Sequence, residues 1–483
     1  MRLRIVSTND FHGAFDPRAD TAGVRRGGAA YLASAIQQAA AGCPEPCTTV
    51  LLDGGDMFQG TVTSNLAYGR PVVAFYDHID VAAAALGNHE FDWGVDSLQA
   101  RMREAPFAIL GANVREESGR RPAWIRADTI VERDGIRIGI VGVATPETPE
   151  VTRAANVRGL TFLQPAPIVD EHARALRARG AEVVVVVAHM GAYCDRTPDA
   201  TCRGEVVDMA NAITEQVDAI VSGHSHSLVN TVVNGIPIVQ AGSSGRSIAV
   251  LDLEPSGGRW RPTAELRSVF SDSLPADSAV AALVADASAQ VAAIVGRQVG
   301  RNAMRLSRTG AQYPLGNFIA DAQRWAGQAD VAVMNNGGIR ADLVAGEVTF
   351  GHLYEIQPFG NALMRVTVTG TTLLSYLESI VGGDRLRAHV SGVRVRFDPT
   401  APAGSRVVEA RLSDGRPIAA GGSYTVVLND FLAEGGDGLG LGREATSVDA
   451  IGALDLDALI AYVQAHPQPL TAPDEARLIP TGL

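Results

Sequence analysis

The chain has 483 residues, 46% of them hydrophobic and 19% charged, which supplies ample apolar material for buried cores and excludes an intrinsically disordered chain. Its 41 cations are all arginine and face 53 Asp and Glu, a formal charge of −12 that argues against a general binder of nucleic acid polymers or anionic membranes. The absence of lysine excludes Schiff-base lysine chemistry and a P-loop lysine, and at about 150 residues per domain two or three domains are expected.

The chain opens on MRLRIVSTNDFHG, a strand-like run ending in polar residues with no apolar leader and cleavage site ahead of it. Two readings are open: the protein stays inside the cell, or a leader has been removed. The cysteines favour the second. Cys43 and Cys47 in CPEPC, and Cys194 and Cys202 across a polar loop, are short-range pairs suited to local disulfides in an oxidising compartment, although four unremarkable thiols fit the same spacing. No stretch approaches the roughly 20 apolar residues needed to span a bilayer, so no transmembrane segment is expected.

Up to about residue 270, β-branched runs at 50–53, 82–86, 107–112, 137–143, 182–188, 218–221 and 236–240 read as buried strands of an α/β sheet. Several stop at a Gly, Asn, Asp or His cluster, the place where loops at the carboxyl ends of strands carry functional groups. Asp10–Phe11–His12, Asp53–Gly54–Gly55–Asp56, Gly87–Asn88–His89–Glu90, Ala188–His189 and Gly223–His224–Ser225–His226 together hold five of the ten histidines. Each motif alone is weak; His189, after six apolar residues, on its own reads more readily as a hydrogen-bonded core histidine. Five strand ends converging on one edge would build a multi-ligand metal site. Imidazole suits first-row transition metals and carboxylate suits harder ions, so a mixed set with one bridging carboxylate fits two cations about 3.5–4 Å apart. Asp53 and Asp56 both offer that carboxylate. Asp56 is preferred because it lies past the double glycine, where the backbone has left the strand. His89 and Asp92 have the spacing of a base and its orienting acid, with Asp92 as a helix cap the alternative.

Residues 277–295 (DSAVAALVADASAQVAAIV) lack Pro and Gly and read as a helix connecting two α/β regions. The second region carries Asn335–Asn336–Gly337–Gly338–Ile339–Arg340, Pro358–Phe359–Gly360–Asn361 and a glycine-rich stretch over 429–438. Two aromatics on separate loops can sandwich a planar base, with core plugs as the blander reading of Phe359 and Phe431. An Asp in a glycine-rich turn can accept ribose hydroxyls, and an Arg fork can hold phosphate oxygens.

The order D-x-H, G-D, G-N-H-[DE], H, G-H-x-H resembles the calcineurin-like metallophosphoesterases. GNHEFDWG, the connecting helix and the C-terminal motifs narrow the resemblance to the 5'-nucleotidase family, of the periplasmic UDP-sugar hydrolase and ecto-5'-nucleotidase type, over nearly the whole chain. It implies an α/β fold with a metallophosphoesterase β-sandwich flanked by helices over 1–272, a linker helix over 273–300 and a nucleotide-binding α/β domain over 301–483. It further implies two divalent cations (Zn, Mn, Fe or Co), one held by Asp10, His12, Asp56 and His226, the other by Asp56, Asn88, His189 and His224. By the same resemblance His89 and Asp92 form the catalytic dyad. Asn335, Arg340, Phe359, Phe431 and Asp437 would bind the nucleotide; outside the aligned motifs, either Arg308 or Arg305 is expected to reach the phosphate.

The activity implied is hydrolysis of nucleotide phosphate esters to phosphate and nucleoside, in a periplasmic or extracellular location, with the cytoplasm the second option. A 2',3'-cyclic-nucleotide phosphodiesterase, a nucleotide-sugar pyrophosphatase, a thiosulfohydrolase and a non-catalytic nucleotide-binding surface protein are the alternatives. The chain departs from the two named relatives at His226, where they carry an amide, and at Asp430. The arginines within 305–317 do not align with the family's substrate-binding set.

Overall fold

Each of the seven apolar runs read as strands forms one in the computed structural model, which describes residues 1–20, 23–195, 201–257, 259–383, 385–471, 473 and 475–481. The chain divides into two units, Met1–Gln290 and Val291–Leu483.

In the first unit the strands make two six-stranded sheets. One runs in the order Arg259–Ser268, Ser247–Ser256, Arg2–Thr8, Cys47–Asp53, Val81–Ala85, Ala108–Leu110. The other runs Leu228–Val233, Ile236–Ala241, Ala219–Ser222, Val183–His189, Ile136–Ala144, Asp128–Arg133. Side chains alternate across each strand, so Leu3, Ile5, Val50 and Leu52 join Ile138, Ile140, Val183 and Val185 in one buried cluster. Their neighbours Val6 and Leu51, and Val184 and Val186, fill separate clusters on the outer, helix-covered faces. Burial on both faces is why these strands read as unbroken apolar runs. Leu228–Val233, exposed at alternate positions, and Arg259–Ser268, exposed or half-exposed along its whole length, are antiparallel and escaped that signal.

The inner strands are parallel, which decides where the motifs meet. Thr8 is opposite Asp53, Asp53 opposite Ala84, and Ala188 opposite Ser222, so each chemistry-bearing loop leaves its sheet at the same carboxyl-terminal edge as its neighbours. Disulfides Cys43–Cys47 and Cys194–Cys202 are both formed.

The unit boundary falls within the helix Ser278–Val295. Against the expectation that no segment approaches membrane-spanning length, this helix is long and apolar enough to cross a bilayer by length and composition. Eight alanines carry that hydropathy, and Asp286 and Gln290 interrupt it.

The second unit holds a five-stranded sheet ordered Ala388–Ser391, Val331–Asn335, Ser423–Asn429, Ala362–Thr369, Ser447–Leu454, beside a three-stranded one. Val331–Asn335 and Ser423–Asn429 are parallel neighbours, so the loops after Asn335 and after Asn429 start side by side. Within the unit His389 is fully buried against Tyr313, 4.1 Å between ring centroids, and over Gly316, where any side chain would collide with it. Neither ring nitrogen has a hydrogen-bond partner. Burial, helped by the Arg477 charge, lowers its pKa from 6.5 to about 4. Between those values the unfolded chain binds a proton that the folded one refuses, so stability rises with pH across that window and falls on acidification. The loss is expected to reach about 3 kcal/mol by pH 4. Urea midpoints at pH 7 and pH 5 check it: His389→Leu should flatten this part of the dependence, and equal pH dependence in both proteins would contradict it.

Candidate metal centre

Five left-handed residues mark the carboxyl-terminal edge of the first unit: Asp10 (φ 49°), His12 (φ 54°), Asp56 (φ 57°), His224 (φ 75°) and His226 (φ 54°). Non-glycine residues enter this region rarely, and the strain persists only where surrounding structure holds it. Here it aims side chains from separate loops at two points.

At the first point Asp10, His12 and His226 bring their ligand atoms within 4.8 Å of one another. His12 Nε2 and His226 Nε2 lie 3.0 Å apart, and His226 Nε2 lies 3.3 Å from Asp10 Oδ1. His12 donates its Nδ1–H to the Gln59 carbonyl at 2.6 Å, which leaves the Nε2 lone pair facing the group. Asp10 is held by the Asn9 side-chain amide at 2.6 Å and by the His224 backbone N–H at 3.0 and 3.1 Å. Its burial alone would raise its pKa, but the imidazoles of His226 and His189 outweigh that and lower it.

At the second point stand Asp56, His189 and His224. His189 Nδ1–H donates to the Gly54 carbonyl at 2.8 Å, and Nε2 lies 3.1 Å from both Asp56 Oδ2 and Asn88 Oδ1. The Asn88 amide nitrogen donates to the Val151 carbonyl at 3.1 Å, which orients the oxygen inward. Burial would depress His189, yet Asp56, Asp10 and Glu90 lift it to about 10, the same pull these carboxylates exert on a cation. Burial and the His189 charge push His224 down to about 4. Asp56 Oδ2 is also 3.8 Å from His12 Nε2, so one oxygen faces both groups.

Asp53, the other candidate for that place, points away. Its carboxylate accepts from the Thr8 hydroxyl at 2.6 Å, Tyr76 at 3.0 Å and the Gly55 N–H at 2.8 Å, and burial raises it to about 7. His89 Nδ1 meets Asp92 Oδ2 at 2.7 Å, and Thr152 donates to the other Asp92 oxygen at 2.9 Å. The His89 ring lies 5.3 Å from that of His12, at the rim of the first group. The donor set, imidazole nitrogens with the Nδ1 of His12 and of His189 tied to backbone carbonyls and carboxylate oxygens beside them, fits divalent transition metals. Sequence reasoning missed Glu205 and Glu147, which cluster with His224, and gave no role to Glu90, which stands in the third motif.

In the second unit Asn335 donates to Asp437 Oδ2 at 2.6 Å, while Asn429 reaches Asn335 Oδ1 at 3.4 Å. Burial raises the Asp437 pKa against Asn335 and the charges of Arg387, Arg340 and Arg385. Arg387, unnoticed in the sequence, donates to the Asp437 carbonyl. The Arg340 guanidinium lies 5.7 Å from the Phe359 ring centroid. Phe431 is half-buried over Gly436, whose missing side chain makes room for the ring. Arg308 pairs with Asp342 at 3.4 Å and donates to the Ile339 carbonyl at 2.9 Å, beside Arg340, while Arg305 pairs with the same Asp342 at 2.7 Å.

The family described as calcineurin-like phosphoesterase matches residues 3–228, and the 5'-nucleotidase C-terminal domain matches residues 284–442. Endonuclease YhcR of Bacillus subtilis (strain 168) is 29% identical over 512 residues, covering 99% of this chain and 41% of that protein. This chain therefore spans about two fifths of that relative's length. A 5'-nucleotidase of Vibrio cholerae is 26% identical over 533 residues, covering 100% of this chain and 93% of its own. Among solved structures, a 5'-nucleotidase precursor from Thermus thermophilus superposes with a TM-score of 0.88 at 28% identity, covering 99% of both chains.

Proposed function

This chain belongs to the 5'-nucleotidase family of calcineurin-like phosphoesterases, and on that premise we propose that it releases phosphate from nucleotide monoesters with two divalent cations bound. The observation that carries this reading is the Asp56 carboxylate, one oxygen of which faces both ligand groups. Asp10, His12, Asp56 and His226 would hold one cation; Asp56, Asn88, His189 and His224 would hold the other. Bound there, the cations supply charge neutralisation for a phosphoryl group and acidify water. His89, turned by Asp92, would give the proton at Nε2 to the ester oxygen as it departs.

In the second unit Phe359 and Phe431 stack the base, Asp437 braced by Asn335 accepts the ribose hydroxyls, and Arg340 with Arg308 holds phosphate oxygens. Phe431→Ala is expected to raise KM about five- to 100-fold with kcat held, the equivalent of one lost stacking contact. Steady-state kinetics on AMP check it, and a fall in kcat at unchanged KM would contradict the assignment. A periplasmic or extracellular site fits the two disulfides.

The test of the reading is phosphate release by the Mn- or Zn-loaded protein from AMP, a nucleotide diphosphate sugar, a 2',3'-cyclic nucleotide and single-stranded DNA. Release from AMP well above the others is expected, with no turnover of DNA, which a chain of charge −12 repels. No release from AMP would sink it.

A further inference from the structure

Glu90 follows His89 in the third motif, is 1% exposed, and belongs to neither ligand group. Its carboxylate instead gathers four backbone N–H groups from two loops. Oε2 accepts from Asp56 at 2.9 Å and from Gly87 at 2.8 Å; Oε1 accepts from Met57 at 2.8 Å and from Phe58 at 3.4 Å. One loop follows Cys47–Asp53 and carries Asp56, while the other follows Val81–Ala85 and carries Asn88.

We propose that Glu90 is the positioning residue of the two-cation centre, its carboxylate pinning the Asp56 loop to the Asn88 loop so that the shared oxygen of Asp56 faces both ligand groups. The inference rests on the two-cation reading above. Asp56 sits at φ 57°, a conformation that must be held from outside. The hold comes from both ends of the residue: Glu90 takes its N–H, and Asp56 Oδ1 takes the His89 N–H at 2.9 Å. That leaves Oδ2 for the ligand groups. Gly87 completes the arrangement, because a side chain there would come within 2.2 Å of Asp56 Oδ1 and 2.7 Å of Glu90 Oε2. Both oxygens of Glu90 must accept. A carboxamide of the same size would turn an NH2 donor toward two N–H donors, and either the Asp56–Gly87 bridge at one oxygen or the hold on Met57 and Phe58 at the other would be lost.

The experiment compares wild type, Glu90→Gln, Glu90→Asp and Leu98→Ala, the last a buried core truncation in the same unit that reports on general destabilisation. Mn2+ stoichiometry and affinity are measured on the intact folded proteins by elemental analysis and calorimetry, with the visible spectrum of the Co2+-loaded forms and kcat and KM alongside. Glu90→Gln is expected to bind cations about 10- to 100-fold more weakly, with an altered Co2+ spectrum and a fall in kcat at little changed KM. Glu90→Asp, which keeps both acceptors, should recover most of the affinity, and Leu98→Ala should retain all of it at a lower melting temperature.

Wild-type affinity and spectrum in Glu90→Gln would overturn the proposal, as would an equal weakening in Leu98→Ala. Should Glu90→Gln fail to fold, Glu90→Asp still decides: an affinity loss of about 100-fold or more there overturns the positioning role. A wild-type protein that binds no pair of cations would instead remove the underlying reading.

Discussion

Asp56→Ala is expected to abolish phosphate release, a loss on the order of 10³-fold or more in kcat/KM, and to lower the cation content of the purified protein at the same time. The magnitude follows from burial. Asp56 is 1% exposed, and its Oδ2 stands 3.1 Å from His189 Nε2 and 3.8 Å from His12 Nε2. Burial would raise its pKa, but the charges of His189, His89 and His12 hold it well below the ordinary carboxylate value. Removing one member of such a set costs several kcal/mol, because the remaining groups keep their burial and lose their partner. This one oxygen faces both ligand groups, so neither is expected to be spared. Asp53→Asn is the matched comparison. Asp53 is equally buried, but its oxygens are spent on Thr8, Tyr76 and Gly55, so cation content should stay at the wild-type level while stability drops. Elemental analysis and kinetics on both variants separate the cases. Retained cations in Asp56→Ala, or their loss in Asp53→Asn alone, would reverse the assignment.

His89→Asn should lower kcat by about 10²- to 10⁴-fold while cation stoichiometry and KM remain near wild type. The geometry separates the two effects. His89 offers Nδ1 to Asp92 and presents its ring 5.3 Å from that of His12, so the imidazole is oriented from outside the ligand groups. Asp92 is in turn held by the Thr152 hydroxyl. Asp92→Asn should cost less, about 10- to 100-fold, since the ring keeps its place but loses the acceptor that fixes its tautomer. A His89→Asn protein that loses cations together with activity would make His89 a ligand rather than a proton carrier.

Local signals in the sequence carried far at some positions and stopped short at others. Parallel strands covered on both faces announce themselves as apolar runs, so 50–53 and 182–188 were legible while the half-exposed antiparallel Arg259–Ser268 was not. The alanine-rich 277–295 was legible as a helix because it lacks breakers, yet its apolarity was underestimated. The half-buried state of Phe359 and Phe431 depends on what packs beneath each ring, and Gly436 under Phe431 is visible only in three dimensions.

By itself the sequence determined the residue types, their order, and the strand ends from which they project, since covalent adjacency and side-chain periodicity are local properties. Only the tertiary structure decided which carboxylate faces the ligand groups. Asp53 is turned aside by Tyr76, 23 residues away, and Thr8, 45 residues away. Long-range contact also set the imidazole tautomers, His189 through the Gly54 carbonyl 135 residues distant, and made Glu90 a clamp between two loops. The physical reason is the same in each case. A buried polar atom takes whatever partner the packed sheets bring to it, and that partner lies tens of residues away along the chain.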